Sequence, residues 1–359
     1  MSERVRRHHV VSRFYLQRFA DAGGYVRQVW HPGERQHMAN VANVSVVKDY
    51  YTVEFDADGA TQVSDFWEKE FSKIETPAAK AFSHALDDGE WPPRPEDREA
   101  LVLWLALQHV RNESARMMLT DLTAFHYRMI VGVNGIARLR QVMESRLDRT
   151  VGDAELEAEW EDLTQPSGPR VLGNANEHID MIRVLFGRIA NHFHSCGIVL
   201  WQFERKSLIT GDHPVVLFGE PPFQGGGVGL FNADCAMIPM SRRSALMLSP
   251  TEPKDFQARG YARLAAQLNS AVSATSAQWL ALHPDDDLAA LDLTFHPPRT
   301  RAIAPPGGDQ LVDRERPIES TPAIREYRRD LQPGSMPLVY PDWPLPGRVF
   351  VNPYAPSVQ

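Results

Sequence analysis

Hydrophobic positions along the chain follow two rhythms, and the change from one to the other falls near residue 196. Tyr25-Val-Arg-Gln-Val-Trp30 alternates and predicts a strand, with His31-Pro-Gly turning the chain after it. Tyr50 to Phe55 predicts a second strand, closed by the turn-forming Asp56-Ala-Asp-Gly59. From Val63 to Leu86 the steps become three and four, with Phe66, Trp67, Phe71, Ile74, Ala78 and Phe82 on one stripe. This predicts a helix with Ser64 as its cap and Pro77 as a kink or break. Trp91-Pro-Pro-Arg-Pro95 reads as a rigid linker, and Pro95 opens the clearest helix in the sequence. Its segment Ala100 to Leu107 is apolar all round, which places it in an interior. The helix is expected to run through Arg111 to about Met118, with further helix to about Leu147. Residues 150–172 are acidic, then Pro- and Gly-containing, and read as an exposed connection. Asn176 to His194 is amphipathic, with Ile179, Ile182, Phe186, Ile189 and Phe193 as the stripe.

Beyond that point strands dominate. Gly197 to Phe203 and Ser207 to Thr210 read as a hairpin continued by Pro214 to Phe218. Cys235 to Met240 and Ala245 to Ser249 read as a second hairpin joined at Ser-Arg-Arg-Ser. A long helix is expected from about Lys254 to Leu282. There is no internal repeat. Helices and hairpins occur in runs rather than in alternation, so the fold class is α+β: a mainly helical body with antiparallel β-hairpins and an extended C-terminal arm. Residues 1–290 are expected to form a single α+β domain. Residues 291–359 read as the arm, because thirteen of the 27 prolines follow residue 296. Met336 to Trp343 and Arg348 to Val351 are too apolar for a free tail and predict partial docking.

Composition narrows the function classes. The 359 residues carry a net charge of −8, which argues against broad nucleic-acid binding. No apolar run has the length of a membrane span. Basic residues near the N-terminus lack an apolar segment behind them, so a secretory signal is not read there and a cytoplasmic location is expected. The two cysteines, Cys196 and Cys235, lie in apolar surroundings and read as small buried hydrophobes. They form no CxxC pair, so a thiolate zinc site is not expected. Gly225-Gly-Gly-Val-Gly229 lacks the Lys-Ser/Thr of a phosphate loop and reads as a flexible loop. No GxSxG elbow is present.

The residues that can carry chemistry come from three separated segments. Gln108 and Arg111 lie three apart on one helix face, directly after the apolar stretch. A buried guanidinium needs a carboxylate or several acceptors, and Asp212 is the expected partner, with Thr210 two residues earlier bonded to it. Glu75 reads either as a second buried acid or as a solvated one. His8 and His9 open the chain beside Phe14, Tyr15, Leu16 and Phe19, and either imidazole can serve proton transfer near neutral pH. A metal held by His8, His9 and Asp212 or His213 is the sharper version, but adjacent histidines diverge and no metal motif is present. His192 and His194 read as partly exposed helix positions.

Several of these blocks, in order, resemble a bacterial group, domain-of-unknown-function family 4238. They are His8-His-Val-Val-Ser-Arg-Phe-Tyr15-Leu16 with Phe19, Phe71-Ser-Lys-Ile-Glu75, Ala106-Leu-Gln108-His-Val-Arg111, Leu208-Ile-Thr210-Gly-Asp212-His-Pro214 and Ile238-Pro-Met-Ser241. The resemblance spans roughly residues 8–283. The chain departs from the family pattern at Gly211 and His213, where the family more often has Ser and Asn. The resemblance implies a soluble bacterial protein, supplies no reaction, and points to His9, Gln108, Arg111 and Asp212.

The leading expectation is a hydrolase or transferase acting on a phosphoryl or acyl group. Arg111 and Gln108 bind an anionic or carbonyl oxygen, Asp212 with His9 moves the proton, and Thr210, His8 and Tyr15 complete the binding surface. A small-molecule or peptide ligand is the expected partner, and the sequence sets no oligomeric state. The alternative is a non-catalytic binding or effector module in which the same residues form a structural polar network.

Overall fold

In a computed structural model the structure describes residues 6–57, 60–64, 66–164, 175–219, 228–291, 293 and 295. The C-terminal arm from residue 296 on, and Gly225 to Gly227 of the glycine-rich loop, lie outside the described residues. Among the described residues, those up to Ala115 and those from Ala175 onward form one compact unit, and residues 116–164 form a second.

In chain order the elements are β1 (Arg7–His9), α1 (Arg13–Leu16), β2 (Tyr25–Trp30), β3 (Arg35–Asn40), β4 (Val46–Lys48), β5 (Val53–Ala57), β6 (Ala60–Ser64), α2 (Phe66–Leu86) and α3 (Pro95–Val110). There follow α4 (Glu113–Leu147), α5 (Asp153–Thr164), α6 (Ala175–Ser195), β7 (Gly197–Gln202), β8 (Thr210–Gly211), β9 (Val216–Phe218), β10 (Cys235–Ser241), β11 (Ser244–Ser249), β12 (Phe256–Arg259), α7 (Ala262–Thr275) and β13 (Trp279–Leu282). The class is α+β, as the non-alternating pattern predicts.

In the first unit, one sheet has the order β12-β7-β11-β10-β9, antiparallel except for the parallel β12–β7 pair. A second, antiparallel sheet runs β3-β2-β13-β8. Two short pairs, β1–β4 and β5–β6, complete the strands. Leu208, Ile209, Val216, Met237, Leu280 and Leu282 from the strands and their connections pack with Leu268 and Val272 of α7 in one core. A second, aromatic packing surface joins Phe14 and Tyr15 to Phe82 of α2 and Trp104 of α3, with ring centroids 5.0–6.3 Å apart and mostly edge-on or tilted. It explains why α2 and α3 carry apolar stripes: both pack on the N-terminal segment and on each other.

Four expectations change. The helix read from Pro95 to about Met118 ends at Val110, because the Asn112 Oδ1 accepts the Ala115 N–H at 2.8 Å and caps a new helix, α4. The connection read at 150–172 contains α5, whose Leu156 and Trp160 pack with Leu139 and Val151 inside the second unit. The helix read from Lys254 to Leu282 is instead β12, α7 and β13. Gly260 marks the first break, since a Cβ there would lie 2.3 Å from the Phe203 ring. Strand pairing with β7 and β2 overrides the helical preference of this Ala- and Leu-rich stretch. Finally, Ser207 to Thr210 does not pair back on β7; Thr210 and Gly211 pair with Ala281 and Leu280 in the other sheet. Pro77 sits inside α2 without dividing it, and the Ser64 Oγ accepts the Phe66 N–H at its start. Among the described residues no helix is long and apolar enough to cross a membrane.

Candidate functional site

Between His8 and Phe19 most side chains are buried, so this segment packs as part of the interior. Strand alternation in β1 turns His8 inward and leaves His9 half-buried on the other side. The His8 Nδ1 accepts the Tyr51 backbone N–H at 2.9 Å, and its ring stacks on Tyr51 at 5.7 Å. A ring nitrogen used as an acceptor cannot also hold a proton there, so this edge of His8 serves the fold. The chain then leaves the strand and enters α1 through Ser12, which is fully buried.

Ser12 is the centre of a polar network. Its hydroxyl accepts from Trp104 Nε1 at 2.8 Å and from Arg111 Nη2 at 2.5 Å, and donates to Glu75 Oε1 at 2.8 Å. One donor and two acceptors is all a hydroxyl has. Arg111 Nη2 also reaches Glu75 Oε1 at 2.5 Å and Gln108 Oε1 at 3.2 Å. With two hydrogens on that nitrogen, the longer Gln108 contact is shared. The amide of Gln108 donates to the Val10 carbonyl at 3.3 Å, and the Tyr51 hydroxyl donates to the Arg111 carbonyl at 3.1 Å. The end of α3 at Val110 is what frees that carbonyl for Tyr51.

Arg111 is 1% exposed and Glu75 25%. Burial, the largest single influence, disfavours the guanidinium charge, but Glu75, Tyr51 and Glu68 together outweigh it, and the pKa of Arg111 rises. One nitrogen of Arg111, Nε, is buried without a hydrogen-bond partner. His9 has the same feature: its Nε2 is buried and unpartnered. Burial lowers the pKa of His9; the Glu75 charge opposes this, and the Arg111, Arg13 and Arg7 charges add to it. The balance favours the neutral imidazole of His9, and the charges of Glu75 and Arg111 both act on it.

The third predicted segment reaches this region by a different residue than expected. Thr210 does not bond to Asp212; its Oγ1 lies 2.7 Å from the Tyr15 hydroxyl, a fully buried pair. Burial raises the Tyr15 pKa, so the phenol stays protonated. Asp212 is not the partner of Arg111 either. It accepts the backbone N–H groups of Ala277, Gln278 and Trp279 at 2.8, 2.6 and 3.2 Å, closing the turn between α7 and β13. Burial pushes its pKa up to about 6, opposed by the three amides and reinforced by Glu113. Pairing of β8 with β13 is the physical reason: it carries Asp212 over the start of β13, where three donors converge. Among the described residues, Asp212 does not lie in one ligand-type group with His8, His9 or His213.

The structure thus joins Tyr15, Thr210, Gln108 and Arg111 to the N-terminal segment and puts Glu75 and Ser12 in the position assigned to Asp212. The signal for Glu75 was its place on an otherwise apolar stripe of α2. Ser12 had none, since nothing local marks a serine that enters a short helix. On the neighbouring side of α3, His109 lies 6.1 Å from His213, and burial lowers its pKa to about 4.

No curated protein and no solved structure matches the chain. The family model "Protein of unknown function (DUF4238)" matches residues 7–286. That span contains every residue of the network and both sheets, and the chain belongs to the DUF4238 family.

Proposed function

We propose that the chain is a hydrolase or transferase acting on a small acyl or phosphoryl substrate at the His9–Glu75–Arg111 cluster. The observation that carries this reading is the pair of buried nitrogens without partners, His9 Nε2 and Arg111 Nε, beside a carboxylate that reaches solvent. Buried nitrogens are seldom left unpaired, and where they occur together a ligand is the natural partner. A neutral imidazole suits a general base: it takes a proton from water or a substrate hydroxyl as that oxygen attacks the acyl carbon or phosphorus, and returns it to the leaving oxygen as the original bond breaks. The arginine charge favours the developing anionic oxygen. Glu75 takes the acidic role first expected of Asp212, holding Arg111 in place and favouring the imidazolium once formed. The two free cysteines fit a reducing, cytoplasmic setting.

The test is turnover of p-nitrophenyl acetate and p-nitrophenyl phosphate by the purified chain and by His9→Gln. The expected result is activity on one substrate that falls about a hundredfold or more in the variant, with an unchanged circular dichroism spectrum. Equal rates for the two proteins would refute the role of His9.

A second reading is favoured by the saturation of Ser12, whose three bonds use its full capacity. Here the network only locks the N-terminal segment onto α2 and α3, and the protein is a binding or effector module. Under that reading His9→Gln changes neither rate while Glu75→Gln lowers stability.

A further inference from the structure

A second group of ligand-type side chains sits at the corner between α2 and α3. His84 lies in the last turn of α2, Glu90 in the connection and Asp97 in the first turn of α3. Gly89, at φ 71°, lets the connection double back, and the Glu90 N–H then bonds to the His84 carbonyl at 2.8 Å. One donor atom from each of the three side chains lies within 4.8 Å of the other two. The group lies nine residues along α2 from Glu75, roughly 13 Å by helix rise, so it is separate from the site above.

We propose that His84, Glu90 and Asp97 bind a divalent first-row transition-metal ion, with Zn²⁺ the best fit. Three features support this. First, the Asp97 side chain is 10% exposed, yet its only ion-pair partner among the described residues is an imidazole, not a lysine or arginine. A buried carboxylate ordinarily has a fixed positive charge or a metal beside it. Second, one neutral imidazole and two carboxylates balance a 2+ ion, and nitrogen–oxygen sets of this kind suit zinc. Third, the His84 Nδ1 and Asp97 Oδ2 are 2.9 Å apart. Neighbouring ligands with metal bonds of about 2.1 Å lie about 3.0–3.4 Å apart in octahedral or tetrahedral geometry, so these two atoms need almost no movement.

Glu90 is the adjustable ligand. Its side chain is 40% exposed and pairs with Arg94 at 2.6–2.7 Å. A solvent-exposed pair of this kind is worth little, so an ion competes for the carboxylate at small cost. The ion takes the place of the hydrogen between His84 Nδ1 and Asp97 Oδ2, the neutral imidazole carries its one proton on Nε2, and water fills the remaining positions on the exposed side. The ion would tie the end of α2 to the start of α3.

The experiment is calorimetric titration of the chelator-stripped full chain with ZnCl₂, and separately with MnCl₂, alongside His84→Ala, Asp97→Asn and Glu90→Gln. The expected result is one equivalent of Zn²⁺ bound per chain, weakened about tenfold or more in each variant, and a melting temperature raised by zinc only in the parent. No uptake of either ion by the parent chain would overturn the proposal. So would parent-like affinity in all three variants, since the ion would then sit elsewhere. If His84→Ala or Asp97→Asn fails to fold, Glu90→Gln decides alone, because its side chain is at the surface and its loss leaves the α2–α3 packing intact.

Discussion

Replacing Asp212 by Asn separates two forces that act on one carboxylate. Three backbone N–H groups donate to it, which favours the ionised form; burial and the nearby Glu113 favour the neutral one. The balance leaves the pKa near 6 in the folded protein against 3.8 for an unperturbed aspartate. Because the folded value is the higher one, the native state binds more protons than the unfolded chain between these limits. Stability from this group is therefore fully present below pH 3.8 and lost as pH rises through 6. The total is about 3 kcal/mol at about 1.4 kcal/mol per pH unit, and about 2 kcal/mol of it falls between pH 4.5 and 7.5. Asn has the same shape and cannot titrate, so the variant lacks this slope. Urea unfolding of both proteins across that range is the assay, with the difference between them cancelling the other titrating groups. The parent is expected to gain about 2 kcal/mol over Asp212→Asn as pH falls from 7.5 to 4.5. A difference that stays constant would refute the reasoning. A difference of opposite sign would mean that the amides dominate and hold the carboxyl below its ordinary value.

Two further outcomes follow from the same strand. At Gly211 a Cβ would lie 2.0 Å from the Ser276 Oγ and 2.9 Å from the Trp279 carbonyl. Gly211→Ser is expected to lower stability by about 2–3 kcal/mol in urea unfolding, and Ser276→Gly to recover part of it. Full tolerance of Gly211→Ser would contradict the packing. Tyr15→Phe removes the buried bond to Thr210 and is expected to lower stability by about 1–2 kcal/mol, read as a shift in urea midpoint; no shift would mean the hydroxyl makes no net contribution.

Local periodicity made much of the fold legible. The stripe Phe66 to Phe82 became α2, the stripe Ile179 to Phe193 became α6, and the alternation Tyr25 to Trp30 became β2. What the sequence hid was pairing at long range. Nothing in Ser207 to Thr210 says that its partner lies seventy residues ahead in β13 rather than next door in β7. Phe256 to Arg259 and Trp279 to Leu282 are four residues each, too short to set a period of two apart from the helical steps between them. Only Gly260, forced against the Phe203 ring, carried a local sign of the break.

The same distinction governs the site. Arg111 advertised its need for a counter-charge, because a guanidinium after an apolar helical run has to be neutralised. Two acids could answer it, and the sequence offered more reason for Asp212, set rigidly between apolar segments. Yet a carboxylate in that setting has two kinds of partner, charged side chains or backbone amides, and amides leave no trace in residue identity. Asp212 found three of them where α7 gives way to β13, and that left Glu75 for Arg111. The consequence reaches function. An acid bound to three backbone amides is fixed by the turn it closes, and most of its acceptor capacity is spent there. An acid bound to Arg111 and Ser12 through a single oxygen, and partly open to solvent, keeps a second oxygen for chemistry. On the proposed reading, catalysis draws on α2, α3 and the N-terminal strand, while β8 contributes through the Tyr15–Thr210 bond to α1.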